Sequence, residues 1–110
     1  MTIHANPGSA ESTIEVKSRY DHYIGGEWVA PVKGQYFENV SPVNGKPFTE
    51  VGRGTAEDIE AALDAAEAAA PAWGRTSPAE RAVVLNKIAD RMEEHLTDLA
   101  VIETWDNGKA

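Results

Sequence analysis

The sequence predicts an α+β fold, with short β hairpins followed by two or three helices. Three observations predict it. In the first half, Gly25-Gly26 and Asn44-Gly45 sit between short runs of apolar and aromatic residues. After residue 54 the apolar spacing changes from two to about 3.6. Two helix-start signatures, Thr55 with Asp58 and Ser77-Pro78 with Glu80, then punctuate the second half.

Taken in order, residues 1–19 are polar and irregular, with Pro7, Gly8 and several serines, and are expected to form a flexible arm. Within it Thr13 to Lys17 alternates like a strand that could join a sheet edge. Tyr23-Ile24 and Trp28-Val29 flank the glycine pair, which signals a tight hairpin. Phe37 to Val40 and Phe48 to Val51 flank SPVNGKP, where Asn44-Gly45 favours positive φ at both turn positions. A small meander or pair of hairpins over 22–52 follows.

The first helix is expected over about 56–70. Thr55 caps it, Asp58 completes a capping box, and Glu57 and Asp58 suit the positive end of the helix dipole. Ile59, Ala62, Leu63, Ala66 and Ala70 make its apolar stripe, and Pro71 is expected to end it. The second helix, 78–95, has Ser77 as cap, Pro78 in the first helical position and Glu80 closing the box. Leu85, Ile88, Ala89, Met92 and Leu96 form its stripe. The third, 97–107, takes Thr97 as cap, points Leu99, Ala100 and Ile102 inward and stops at Gly108.

Composition narrows the function classes. A chain of 110 residues fits one small domain. Its 18 acidic and 10 basic residues give a net charge of −8. Such a surface repels nucleic-acid phosphates and anionic lipid, so neither is an expected partner. There is no cysteine, which removes disulfides, thiolate metal sites and a cysteine nucleophile from this chain. No apolar run is long enough for a membrane span and no signal-peptide pattern opens the chain, so a cytoplasmic protein is expected.

Gly52-Arg53-Gly54 precedes a helix like a dinucleotide loop, but Glu57 replaces the third glycine and would repel a pyrophosphate. A plain strand-to-helix turn is the better reading. His4, His22 and His95 have no metal-site spacing. Most acidic residues lie after residue 56, on helix faces, with no pair held for acid–base work. Asn39-Val40-Ser41 matches a glycosylation sequon, but Pro42 makes it a poor acceptor. Trp28, Trp73 and Trp105 either form an exposed aromatic patch or close the ends of packed elements. No catalytic and no cofactor-binding residue emerges.

These residues, in this order, resemble the N-terminus of the aldehyde dehydrogenase superfamily. Tyr23-Ile24-Gly25-Gly26-Glu27-Trp28-Val29 resembles the family's opening hairpin. Val40-Ser41-Pro42-Val43-Asn44-Gly45 resembles its following turn, with Ser41 where asparagine is commoner. Glu50-Val51 and Glu57-Asp58-Ile59 are similar to its first helix. Trp73, Arg81, Leu85, Ile88-Ala89-Asp90, Leu99-Ala100 and Glu103 to Lys109 are similar to its second and third. Arg19-Tyr20-Asp21 together with Trp105 looks like the subgroup acting on acetaldehyde.

The resemblance covers residues 20–110 and implies the N-terminal portion of an α/β aldehyde dehydrogenase fold. It implies an oxidoreductase that converts an aldehyde to a carboxylic acid with NAD or NADP, through a cysteine, a glutamate base and an oxyanion-stabilising amide. None of these lies in the chain, which is expected to be inactive alone. The resemblance also implies a structural Na⁺ or K⁺ ion near Asn39, Val40 and Asp106, and a homo-oligomer. Ile59, Leu63, Leu85, Ile88, Met92 and Leu99 would then bury against partner surface as well as one another, and the isolated chain is expected to expose apolar surface and to associate or partly unfold. The alternative is a non-catalytic module that docks on a full-length aldehyde dehydrogenase.

Overall fold

The computed structural model describes residues 5–110. Five short strands precede three helices: β1 (Arg19–Tyr20), β2 (His22–Ile24), β3 (Glu27–Val29), β4 (Tyr36–Val40), β5 (Pro47–Gly52), α1 (Ala56–Arg75), α2 (Pro78–Glu94) and α3 (Leu96–Asn107). The strands form two sheets. β2 and β3 make an antiparallel ribbon, while β1, β5 and β4 make a second sheet in that order. In the ribbon Gly25 and Gly26 have φ of 63° and 85°. Two consecutive positive values are what a two-residue turn needs to match strand twist, and glycine adopts them without a Cβ penalty.

The three-stranded sheet departs from expectation at its edge. Thr13 to Lys17 forms no strand; the chain joins the sheet later, where β1 runs parallel to β5 with Arg19 opposite Glu50. Two side chains explain that register. Arg19 Nη2 meets Glu50 Oε2 at 2.7 Å, and the buried Thr49 Oγ1 donates to the Lys17 carbonyl at 2.6 Å.

The β4–β5 turn also differs in detail. Gly45 has φ of 68°, whereas Asn44 stays at negative φ. The connection is longer than two residues, so it closes with one left-handed glycine rather than a mirror-image turn. Gly45 N–H donates to the Ser41 carbonyl at 2.8 Å.

α1 does not stop at Pro71 but runs to Arg75. Pro71 forgoes its own bond to the Glu67 carbonyl, on an exposed turn where water can replace it. The stop comes at Thr76, which leaves the helix at φ −68° and ψ 142°, and Pro78 keeps the next residue, Ser77, extended at φ −68° and ψ 156°. At α2 the capping box is complete: Ser77 N–H donates to Glu80 Oε2 at 2.7 Å, and Glu80 N–H to Ser77 Oγ at 3.2 Å.

Thr97 does not cap α3. The helix begins at Leu96, and His95 alone joins it to α2. The inward face of α3 is Val101 and Trp105, not Leu99 and Ala100, which are exposed, or Ile102, which is half-buried. Val101 and Trp105 settle against the first half of the chain.

The molecule is open. Its radius of gyration is 17.4 Å, against about 13 Å for a compact domain of this length. α1 meets β2, and α2 meets α3, but the apolar stripes of α1 and α2 stay in solvent. Leu63 is 57% exposed, Leu85 62% and Met92 56%. No helix among the described residues is long and apolar enough to cross a membrane.

Candidate functional site

Two clusters carry the polar organisation of the chain. The first joins the β4–β5 hairpin to the end of α3. Asn39 lies on β4 and Asp106 in the last turn of α3, and Asn39 Nδ2 donates to Asp106 Oδ1 at 2.7 Å. Two residues after Asn39, the fully buried Ser41 donates its Oγ–H to the Trp105 carbonyl and accepts from Val43 N–H at 3.2 Å. The indole of Trp105 meets Phe48 of β5 edge-on, with ring centroids 6.3 Å apart.

Gly108 ends α3 in the left-handed conformation, φ 76°. A Cβ there would lie 2.9 Å from Pro42 Cγ. Both the backbone angle and the space therefore require glycine, as its place after the helix suggested.

The structure thus brings together the three positions expected to hold an ion. Asn39 and Asp106 are hydrogen-bonded, and Val40 follows Asn39 in β4. Val40 pairs with Pro47, which has no N–H to offer its carbonyl. The ligands that the resemblance implies there, the Asp106 carboxylate and the main-chain carbonyls of Asn39 and Val40, would all be oxygens. No group of three or more histidine or acidic side chains that could hold a metal exists among the described residues. Such a set suits a weakly charged hard cation better than zinc or another transition ion.

The second cluster ties the start of α1 to the loop after β3. Asp58 is buried. Its Oδ1 accepts from Val32 N–H at 2.9 Å, and its Oδ2 accepts from Thr55 N–H at 2.8 Å and Thr55 Oγ1–H at 3.0 Å. These bonds favour the charged form. The Val32 amide, followed by the Thr55 amide, holds the Asp58 carboxyl below its ordinary value. His22 Nε2 lies 3.9 Å from Asp58 Oδ1, too far for a hydrogen bond, and has no hydrogen-bond partner among the described residues. The sequence showed Asp58 as a capping residue. Its hold on Val32, 26 residues away, left no local signal.

The remaining candidates are dispersed. Gly52, first of the expected strand-to-helix turn, packs so closely that a Cβ would lie 2.8 Å from Pro31 Cγ. His95 sits at the α2–α3 joint, 3.9 Å from Asp98, far from any second histidine in sequence. His4 lies outside the described residues. The tryptophans divide between the two readings: Trp105 is buried, while Trp28 and Trp73 are exposed. Trp28 stacks obliquely on Tyr20 and Tyr23, with Lys17 Nζ 4.7 Å from its ring centre. Glu50 and Val51 lie on β5, not on the first helix.

Residues 28–110 match the model of the aldehyde dehydrogenase family. The chain belongs to that family. It is 67% identical over 109 residues to an EPTC-inducible aldehyde dehydrogenase of Rhodococcus erythropolis, covering 99% of this chain and 22% of that protein. It is 64% identical over 108 residues to an acetaldehyde dehydrogenase of Pseudomonas aeruginosa, covering 98% and 21%. Among solved structures it resembles a betaine aldehyde dehydrogenase from Staphylococcus aureus in complex with NAD⁺. That match has a TM-score of 0.78 and 35% identity, over 82% of this chain and 18% of the other. The chain spans about a fifth of the length of the relatives it matches.

Proposed function

We propose that these residues form the N-terminal portion of an NAD(P)-dependent aldehyde dehydrogenase that oxidises acetaldehyde or a similar short aldehyde to its acid. The carrying observation is the 67% identity to the Rhodococcus enzyme over almost the whole chain. The Pseudomonas relative, an acetaldehyde dehydrogenase, supports the substrate. The NAD⁺ complex of the Staphylococcus structure supports the cofactor. The chain has no cysteine and supplies no thiolate, so its own contribution is scaffolding. Asn39, Val40 and Asp106 would hold a Na⁺ or K⁺ ion that ties β4 to α3. The full enzyme would work as a homo-oligomer in the cytoplasm.

The intact mass of the protein in its native source tests this reading. A mass several times 11.9 kDa, together with NAD(P)H formation from acetaldehyde by that protein, supports it. A native mass near 11.9 kDa overturns it in favour of a second reading, a non-catalytic module docking on a full-length relative. The exposed stripes of α1 and α2 favour that alternative.

A further inference from the structure

The chain holds two Asn-Gly pairs, Asn44-Gly45 and Asn107-Gly108. Glycine leaves its own amide nitrogen less shielded than any other residue does, because no Cβ stands beside it. In both pairs that nitrogen could reach the asparagine side chain. The two surroundings differ.

Asn107 is the last residue of α3. Its Nδ2 donates to Glu103 Oε1 at 2.8 Å and its Oδ1 accepts from Lys109 N–H at 2.7 Å. Gly108 N–H closes the helix on the Thr104 carbonyl at 2.8 Å. The side chain is held at both ends and the nitrogen points into the helix. Asn44 is itself half-buried but sits in the exposed β4–β5 turn, between the exposed Val43 and Gly45. Its Oδ1 accepts from Lys46 N–H at 3.1 Å, a bond of the same kind that Asn107 Oδ1 takes from Lys109, so the two sites differ at the other end of the side chain. Its Nδ2 makes no hydrogen bond among the described residues, so the leaving group is unrestrained. Gly45 N–H is bonded to Ser41 at 2.8 Å, but this bond belongs to a surface turn and opens with that turn alone.

We propose that Asn44 is a spontaneous deamidation site of this chain and that Asn107 is the protected member of the pair. The Gly45 nitrogen attacks Asn44 Cγ. A Cγ–N bond forms, the Cγ–Nδ2 bond breaks, and the Gly45 amide proton leaves with Nδ2 as ammonia. Water then opens the cyclic imide at either carbonyl and leaves aspartate or isoaspartate. No oxidant, metal or second substrate enters. The product adds a negative charge beside Lys46. In its isoaspartyl form it also lengthens the main chain between Ser41 and Lys46, the loop whose Ser41 hydroxyl grips α3.

The test is peptide mapping by mass spectrometry after incubation of the purified chain at mildly alkaline pH, folded and in urea. Conversion in the folded chain is expected at the Asn44 peptide, at a rate close to that in urea. Asn107 is expected to convert roughly tenfold or more slowly than in urea. Methylation by an isoaspartyl methyltransferase is expected in the native sequence and absent in Asn44→Gln. Equal conversion of both sites in the folded chain, or an intact Asn44 over the time in which urea converts it, overturns the proposal.

Discussion

Trp105 joins α3 to the β4–β5 hairpin through both its ring and its main chain. Its indole packs on Phe48, and its carbonyl takes the Ser41 hydroxyl. Trp105→Ala removes most of the buried apolar volume at this junction and is expected to cost about 3–5 kcal/mol, read from urea unfolding of the chain. Ser41→Ala leaves the Trp105 carbonyl buried without its donor and is expected to cost about 1–3 kcal/mol in the same measurement. Asp58 gives a pH dependence whose sign follows from its depressed ionisation. The folded state keeps it charged more strongly than the unfolded state does, so its stabilisation is full above its ordinary value of 3.8. That stabilisation is lost as pH falls through the lower value of the folded protein. Unfolding midpoints of the chain and of Asp58→Asn, followed from pH 6 downward, are expected to converge at the acid end. Parallel curves would sink this account.

At the scale of elements, α2 was the most legible. Ser77, Pro78 and Glu80 act within one turn, and local chemistry of that kind survives into the fold. Ser77→Ala is expected to lower stability by about 1 kcal/mol, seen as a loss of helical circular dichroism on mild heating. The β2–β3 ribbon was legible for the same reason, because its glycine pair dictates the turn. What escaped depends on distant partners. The inward face of α3 reads locally as Leu99, Ala100 and Ile102, but the β4–β5 hairpin approaches the Val101 and Trp105 side. The end of α1 escapes a local reading because a proline costs about 3 kcal/mol in a helix interior, yet the alanine-rich run before Pro71 carries the helix past it to Arg75. Pro71→Ala is accordingly expected to raise thermal stability rather than extend the helix. Of the candidate ion site, Asp106 and Asn39 came from family resemblance. Their direct hydrogen bond spans 67 residues and could not be read from either segment.

The whole molecule is governed by surface it leaves uncovered. Ile59, Leu63, Leu85, Ile88, Met92 and Leu99 are all exposed, so the expectation that they bury against one another fails. Apolar area at this density on an open shape drives association. Sedimentation of the isolated chain is expected to show species that grow with concentration, and binding of a hydrophobic dye is expected to fall as they form. A monodisperse monomer without dye binding would contradict this. The His95 joint and the Ser41–Trp105 grip also have a consequence in time. Ser41 waits for a carbonyl 64 residues further along the chain. During synthesis the hairpin therefore emerges early and stays without its clasp until α3 has been made. A pause by the ribosome anywhere between them would prolong the interval in which the hairpin is held only by its own ladder and by β1, the interval in which a chaperone has most to protect.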